Sequence, residues 1–180
     1  INKMNILKPP TFIEYSLVWW SIILLSYIYR NNILLECVLF LIGLFLYTIM
    51  EYTIHRYIFH GPLWSLHKLH HKIIHNENYL IIPFIYSIPI GLMYSLFYIL
   101  ILGKYYSIGL IRGHILGYIG FEYIHYIKHT KNEITEKLRE NNYIKNLIEK
   151  HKKHNIEYGK RYVNYGCITL YWDKICETIN

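Results

Sequence analysis

Residues 33–60 read ILLECVLFLIGLFLYTIMEYTIHRYIFH, a long apolar run that ends in two histidines. A helix needs about 20 apolar residues to cross the hydrocarbon core of a membrane, and residues 33–54 provide a run of that length. Three more apolar blocks have a similar length, at residues 12–29, 80–102 and 105–127. Only short breaks, at residues 30–32 and 103–104, separate the two members of each pair. This arrangement predicts two helical hairpins.

Lys and Arg concentrate in two long polar segments, residues 55–79 and 128–180. The positive-inside rule places such segments, and with them both chain ends, in the cytosol. The predicted fold is therefore all-α: an integral membrane protein with four transmembrane helices in two hairpins under a cytosolic, helical, His-rich cap. The alternative is a soluble helical protein with buried hairpins, although 180 residues offer little chain to cover four such blocks.

The chain carries a net charge of +7. A basic chain first suggests nucleic-acid binding, but here the lysines lie beside apolar spans, which favours a membrane protein and no nucleic-acid partner. Nucleotide bias in the gene, which would enrich Ile, Tyr, Asn and Lys together, explains part of the charge equally well. Cys37, Cys167 and Cys176 form no CxxC pair, so we expect neither a disulfide framework nor a thiolate metal site. Residues 1–10 show no pattern of a removable signal peptide.

Nine of the eleven histidines fall into four short clusters. The clusters are HRYIFH (His55, His60), HKLHH (His67, His70, His71), HYIKH (His125, His129) and HKKH (His151, His154). Residues three or four apart share a face of a helix, and neutral imidazole is a good ligand for iron, zinc, copper and nickel. Nine imidazoles exceed the needs of one ion, so the clusters predict a two-metal centre. His75 and His114 have no helical partner and are interpreted as ordinary polar residues.

Two carboxylates lie close in sequence to these histidines. Glu51 precedes His55 by four residues, and Glu122 precedes His125 by three. Each is a candidate to accept a hydrogen bond from a ligand histidine and so fix its tautomer. A carboxylate that faces lipid headgroups at the membrane rim would occupy the same place.

The order HxxxxH, HxxHH, HxxxH and HxxH, set between paired apolar blocks, resembles the fatty acid hydroxylase superfamily. Three stretches are more specifically similar to its fatty acid 2-hydroxylase branch, which acts on the acyl chains of sphingolipids. They are EYTIHRYIFH (51–60), GYIGFEYIHYIKH (117–129) and YGCITLYWDKICET (165–178). Sterol desaturases of the same superfamily usually have a three-residue gap in the first of these boxes. The resemblance covers roughly residues 33–178.

The length of 180 residues predicts one domain and not two. The resemblance implies that this single domain, residues 1–180, is a membrane-embedded hydroxylase domain, with the nine clustered histidines as ligands of two iron ions that zinc can replace. It implies hydroxylation at C2 of a membrane lipid with O₂, and electrons from NAD(P)H through cytochrome b5 and its reductase. No cytochrome b5 domain is visible in the sequence, so a separate carrier is expected. The implied location is the endoplasmic reticulum membrane, with the active site facing the cytosol. Tyr79, Tyr158 and Trp172 are candidates for holding the lipid headgroup, or they form an aromatic belt.

Two positions depart from the family pattern. Asn155 stands where the last box usually has a histidine, and Thr130 follows His129 where a second histidine is usual. Four interpretations therefore stay open. The first is the 2-hydroxylase, and the second is another enzyme of the same superfamily: a sterol desaturase, a C4-methyl oxidase or a sphingoid-base hydroxylase. The third is a hydroxylase that keeps the fold but has lost turnover, and the fourth is a non-enzymatic membrane metal-binding or transport protein.

Overall fold

The computed structural model describes residues 17, 19–21, 23–24, 32–72, 84–156 and 163–180, without the side chains of residues 66, 69, 70, 72, 84–86 and 156. Within these ranges every regular element is helical, so the all-α prediction is confirmed there. Most of the first apolar block, residues 12–29, lies outside the described residues.

The helices follow one another in the order expected from the apolar blocks. They are α1 (Ile33–Thr53), continued by a π-helix (Ile54–Phe59), then α2 (Trp64–Lys72), α3 (Phe84–His129), α4 (Glu133–Arg139), α5 (Asn142–Ile156) and α6 (Tyr171–Ile175). Asn32 caps α1, because its side-chain oxygen accepts the N–H groups of Leu34 and Leu35. Asn132 and Thr135 form a reciprocal capping box that starts α4.

Helix α3 is interrupted at Gly103, where φ is 72° and ψ is 162°. Glycine adopts this conformation without a steric penalty. Tyr94 and His114 lie on opposite sides of the break, yet their ring centroids are 5.6 Å apart. A continuous helix would separate residues twenty positions apart by about 30 Å. The two parts of α3 therefore fold back on each other, at the break that the sequence predicts.

Two segments within the described ranges, Ile33–Phe59 and Ser87–His129, are long and apolar enough to cross a membrane. In the most apolar 18-residue stretch of each segment, only 17% and 11% is buried, respectively. A core helix of a soluble protein would be mostly buried. Leu34, Leu41 and Leu100 are among the large apolar side chains that they expose. These surfaces fit a lipid environment.

Two compact units divide the chain, and the first comprises Ile1–Tyr47 and Ile81–Ile119. In it, the second part of α3 approaches α1 closely through glycines spaced four residues apart. A Cβ atom on Gly113 would collide with the backbone of Phe40, so this glycine permits the close helix contact. Arg112 and Glu36 form a buried ion pair across the same contact, with 2.6 Å between Nη1 and Oε2.

The second unit comprises Thr48–Leu80 and Gly120–Asn180, and it contains all four histidine clusters. The Arg139 guanidinium donates to the carbonyls of Ile127, Lys128 and Thr130, which satisfies the end of α3. Residues 163–180 form the last segment of this unit, and α6 lies within it.

Candidate metal centre

Five histidines converge in the second unit, from the π-helix, the residue that follows it, α2 and α5. We call them the five-histidine group: His55, His60, His67, His71 and His154. One ring nitrogen of each lies within 4.8 Å of a ring nitrogen of every other. The Nε2 atoms of His55 and His67 are 3.1 Å apart, as are those of His60 and His154.

A second set lies at the end of α3 and on α5. We call it the three-histidine group: His125, His129 and His151. The Nε2 atoms of His129 and His151 are 3.0 Å apart. His151 and His154, one turn apart on α5, stack with ring centroids 6.0 Å apart. Helix α5 therefore contributes one histidine to each group, and the two groups are neighbours.

The spacing of the ring nitrogens fits metal ligation. Two nitrogens that bind one ion at about 2.0–2.1 Å, with about 90–110° between the bonds, lie roughly 2.8–3.4 Å apart. Three Nε2 pairs, at 3.0–3.1 Å, fall in this range. The donors are imidazoles, which suit iron and zinc better than calcium or magnesium. Both groups are therefore able to hold a metal ion.

Backbone carbonyls orient two rings of the five-histidine group. His55 Nδ1 lies 2.5 Å from the carbonyl oxygen of Tyr165, and His154 Nδ1 lies 2.6 Å from that of Val163. Because a carbonyl can only accept, each Nδ1 carries the proton and donates. Each Nε2 then keeps its lone pair, which is the form that binds a metal.

Two of the histidines outside the membrane spans, His60 and His151, are held neutral. Burial, followed by the neighbouring His71 ring, lowers the pKa of His60 to about 4. Burial also lowers the pKa of His151 well below its ordinary value, with smaller contributions from the Lys128 ammonium and the adjacent imidazoles. Both rings are therefore neutral at pH 7, so no proton has to leave when a metal binds.

A buried thiol lies beside the five-histidine group. Glu51, His55 and Cys167 each place one potential ligand atom within 4.8 Å of the others. Burial raises the pKa of Cys167 to about 12, so the thiol stays protonated and is a poor ligand in that form. The Cys167 backbone N–H donates to Glu51 Oε1 at 2.9 Å. The Glu51 carboxyl group therefore contacts the last described segment, residues 163–180.

The other predicted site residues have the following places. Glu122 is fully buried at the end of α3, and Asn155 is buried next to His154 on α5. The Trp172 indole N–H donates to the Thr48 hydroxyl at 2.9 Å. Tyr79, Tyr158 and the side chain of His70 lie outside the described residues. His114 packs against tyrosines of α3 in the first unit.

Two features of the centre were not predicted from the sequence. One is the π-helix at residues 54–59, whose only sequence signal is the unusual five-residue spacing of His55 and His60. The other is the role of the backbone at residues 163–167, where the carbonyls of Val163 and Tyr165 accept from the Nδ1 atoms of His154 and His55. Such contacts leave no mark in the side-chain pattern.

Comparison with known proteins assigns the chain to a family. Residues 40–178 match the fatty acid hydroxylase family. The solved structure of full-length Scs7p, in which only the hydroxylase domain is visible, superposes with a TM-score of 0.82 over 99% of this chain and 70% of that chain. At 20% sequence identity this likeness establishes a shared fold. No curated protein matches the sequence at a significant level. The predicted family and enzyme class are confirmed: the chain belongs to the fatty acid hydroxylase family and is an oxidoreductase of the hydroxylase class.

Proposed function

We propose that this protein is a membrane fatty acid 2-hydroxylase that hydroxylates C2 of the acyl chains of sphingolipids or ceramides. The observation that carries the proposal is the pair of adjacent histidine groups, in which three pairs of Nε2 atoms lie 3.0–3.1 Å apart. The choice of the 2-hydroxylase branch rests on the four-residue gap between His55 and His60 and on the segments 117–129 and 165–178. Family membership supports a lipid substrate.

The proposed cofactors are two iron ions, one in each histidine group, with zinc as a possible substitute. When bound, iron supplies the oxidising power for C–H cleavage by O₂, which no side chain provides. The protein would contribute the imidazoles that hold the ions, among them His55 and His154, whose Nδ1–H groups donate to backbone carbonyls and leave an Nε2 lone pair on each ring. Buried positions, such as those of His71 and His154, keep water from the ligands and strengthen the local electrostatics. Glu51 and Glu122 are proposed to support the ligand histidines.

The proposed topology has four transmembrane helices in two hairpins, with residues 12–29 as the first. The hairpin formed by α3 and the exposed apolar surface of α1 support this arrangement. The histidine-bearing unit would face the cytosol of an endoplasmic reticulum membrane, because Lys and Arg concentrate in residues 55–79 and 128–180. Cytochrome b5 and its reductase would deliver electrons from NAD(P)H. Tyr79, Tyr158 and Trp172 stay candidates for headgroup contact.

Lipid mass spectrometry on cells that express the chain tests this function. We compare the wild type with His151→Ala, which removes a ligand of the three-histidine group. Lys152→Ala is the matched control, because this exposed residue lies next to His151 on the same helix. We expect 2-hydroxyacyl sphingolipids from the wild type and from Lys152→Ala, and none from His151→Ala.

Other products would change the assignment. Hydroxylated or desaturated sterols or sphingoid bases, in place of 2-hydroxyacyl lipids, would move the protein to another branch of the same superfamily. If iron is bound and cytochrome b5 is supplied but no oxidised lipid forms, the fold is retained without turnover, and the 2-hydroxylase proposal fails.

A further inference from the structure

Residues 163–167 form a short segment, here called the strap, whose backbone contacts the five-histidine group on one side and a buried carboxylate on the other. The carboxylate is Asp173, which is fully buried at the start of α6. Its Oδ1 accepts the N–H of Tyr165, and its Oδ2 accepts the N–H of Gly166, both at 2.8 Å. The Thr178 hydroxyl also donates to Oδ1 at 2.8 Å.

One peptide group of the strap is bonded at both ends. The Tyr165 carbonyl and the Gly166 N–H belong to the same peptide unit. The N–H donates to Asp173, and the carbonyl accepts from His55 Nδ1 at 2.5 Å. A continuous path of hydrogen bonds therefore runs from the carboxylate through one amide to the ring whose Nε2 lies among the other four histidines of the group.

Such a path has an electronic consequence. A negatively charged acceptor polarises the amide, so the amide oxygen becomes a better acceptor for the next donor. Hydrogen bonds in a chain strengthen one another by about 10–30%. A metal-bound histidine that donates to a carboxylate becomes a more basic ligand. In this centre the carboxylate reaches the histidine through an intervening peptide.

His154 provides an internal comparison in the same group. Its Nδ1 donates to the Val163 carbonyl at 2.6 Å, and the N–H of that peptide unit is that of Asn164. The Asn164 N–H donates to the Thr178 backbone carbonyl at 2.8 Å. This second path therefore ends on a neutral group, whereas the path from His55 ends on a carboxylate.

We propose that Asp173 is a positioning residue that tunes His55 as a metal ligand through the Tyr165–Gly166 peptide group. The inference rests on the proposed metal centre. The sequence predicts support of a ligand histidine, through a direct hydrogen bond, for Glu51 and Glu122 and not for Asp173. The role needs no direct contact between Asp173 and an ion.

Proton NMR of the ring N–H groups of the wild-type, zinc-loaded protein tests the path without any substitution. A shorter and more polarised hydrogen bond moves its proton signal downfield. We expect the Nδ1–H signal of His55 downfield of the Nδ1–H signal of His154. Equal positions, or the reverse order, would overturn the proposal even if no Asp173 variant folds.

The second test is zinc affinity, measured by competition with a chelator for the wild type, Asp173→Asn and Thr178→Val. We expect Asp173→Asn to weaken binding roughly tenfold, at the lower end of the effect of outer-shell changes, and to shift the His55 signal upfield more than the His154 signal. The Asn side chain replaces one acceptor oxygen of Asp173 with an NH₂ donor, which would face a backbone N–H. Thermal unfolding must therefore show that the variant is folded. Thr178→Val removes one hydrogen bond to Asp173 but keeps the charge and the path, so its affinity should stay close to wild type.

The outcomes separate the two proposals. If the wild type binds no zinc or iron, the metal centre and the proposed function are wrong. If the wild type binds zinc but folded Asp173→Asn binds it equally well, or loses no more affinity than Thr178→Val, only the role of Asp173 is wrong.

Discussion

The backbone N–H of His60 donates to the carbonyl of His55 at 3.1 Å, a bond that spans five residues instead of the four of an α-helix. In an α-helix, residues five apart point about 140° away from each other. The π-helix at Ile54–Phe59 has a wider turn, so both rings face the same group, with centroids 5.1 Å apart. Single π turns are frequent at functional sites, and here the turn fits the HxxxxH spacing to one centre.

This relationship predicts that a deletion and an insertion differ in how much bound metal they lose. Deleting exposed Ile58 makes the spacing of the two histidines four, which an α-helix places on one face. Inserting Ala after Ile58 makes the spacing six, and neither an α-helix nor a π-helix places residues six apart on one face. We expect the deletion variant to keep more bound zinc than the insertion variant, as measured by elemental analysis after gel filtration. Equal losses would mean that the π turn does not align the ligands.

The division into two groups predicts separate losses of metal. His67→Ala removes a member of the five-histidine group, and His129→Ala a member of the three-histidine group. We expect each variant to keep roughly one of two ions, because the other ligand set stays intact. Elemental analysis of purified protein measures this stoichiometry. If either substitution alone removes all metal, the ions are held as one indivisible cluster.

The neutral histidines predict how the metal-free protein responds to acid. The pKa of His60 is about 4 in the folded chain, below the value of about 6.5 for an unfolded histidine. As the pH falls, His60 of the unfolded chain takes up a proton before His60 of the folded chain does. The contribution of His60 to the free energy of unfolding is therefore highest above about pH 6.5 and decreases as the pH falls toward about 4. His151 has the same direction of shift. Thermal unfolding between pH 7.5 and 4.5 should show a falling Tm, with a shallower fall in His60→Gln. A Tm independent of pH would contradict this.

The contact between α1 and α3 predicts a difference between two glycines of α3. A methyl group on Gly113 would collide with backbone atoms of Phe40 and Leu44, whereas one on Gly120 would meet no heavy atom within 4 Å. We expect Gly113→Ala to lower the Tm because the helices must move apart. Gly120→Ala should be neutral or stabilising by about 0.5–1 kcal/mol, since Ala is the better helix former. A destabilised Gly120→Ala with an unaffected Gly113→Ala would place the helix contact elsewhere.

The sequence predicts the helices better than it predicts the centre. Runs of apolar residues mark α1 and both parts of α3, and the break falls at Gly103 because a long apolar run stops there. The HxxH spacing of His151 and His154 predicts a shared face but not that the two rings serve different groups. That division depends on where α3 ends and on the strap, and both are set by tertiary contacts such as those of Arg139 and Asp173. Local spacing carries no information about them.

Asn155 is the clearest departure from the family pattern, and its surroundings make it testable. It is 8% exposed and lies one turn beyond His151 on the same face of α5. Its Oδ1 has no hydrogen-bond partner among the described residues, although burial of an unpaired carbonyl normally costs about 1–3 kcal/mol. We expect an oxygen in this position to be available to an ion held by the neighbouring histidines.

Two substitutions at this position therefore have different expected results. Asn155→His offers a stronger nitrogen donor, so metal should be retained at higher chelator concentrations than in the wild type. Asn155→Leu removes the unpaired polar group and should raise the Tm of the metal-free protein, but metal retention should fall. Titration with a chelator and thermal unfolding measure the two effects. If Asn155→Leu retains metal as well as the wild type does, Asn155 is a packing residue, and the three-histidine group binds its ion without it.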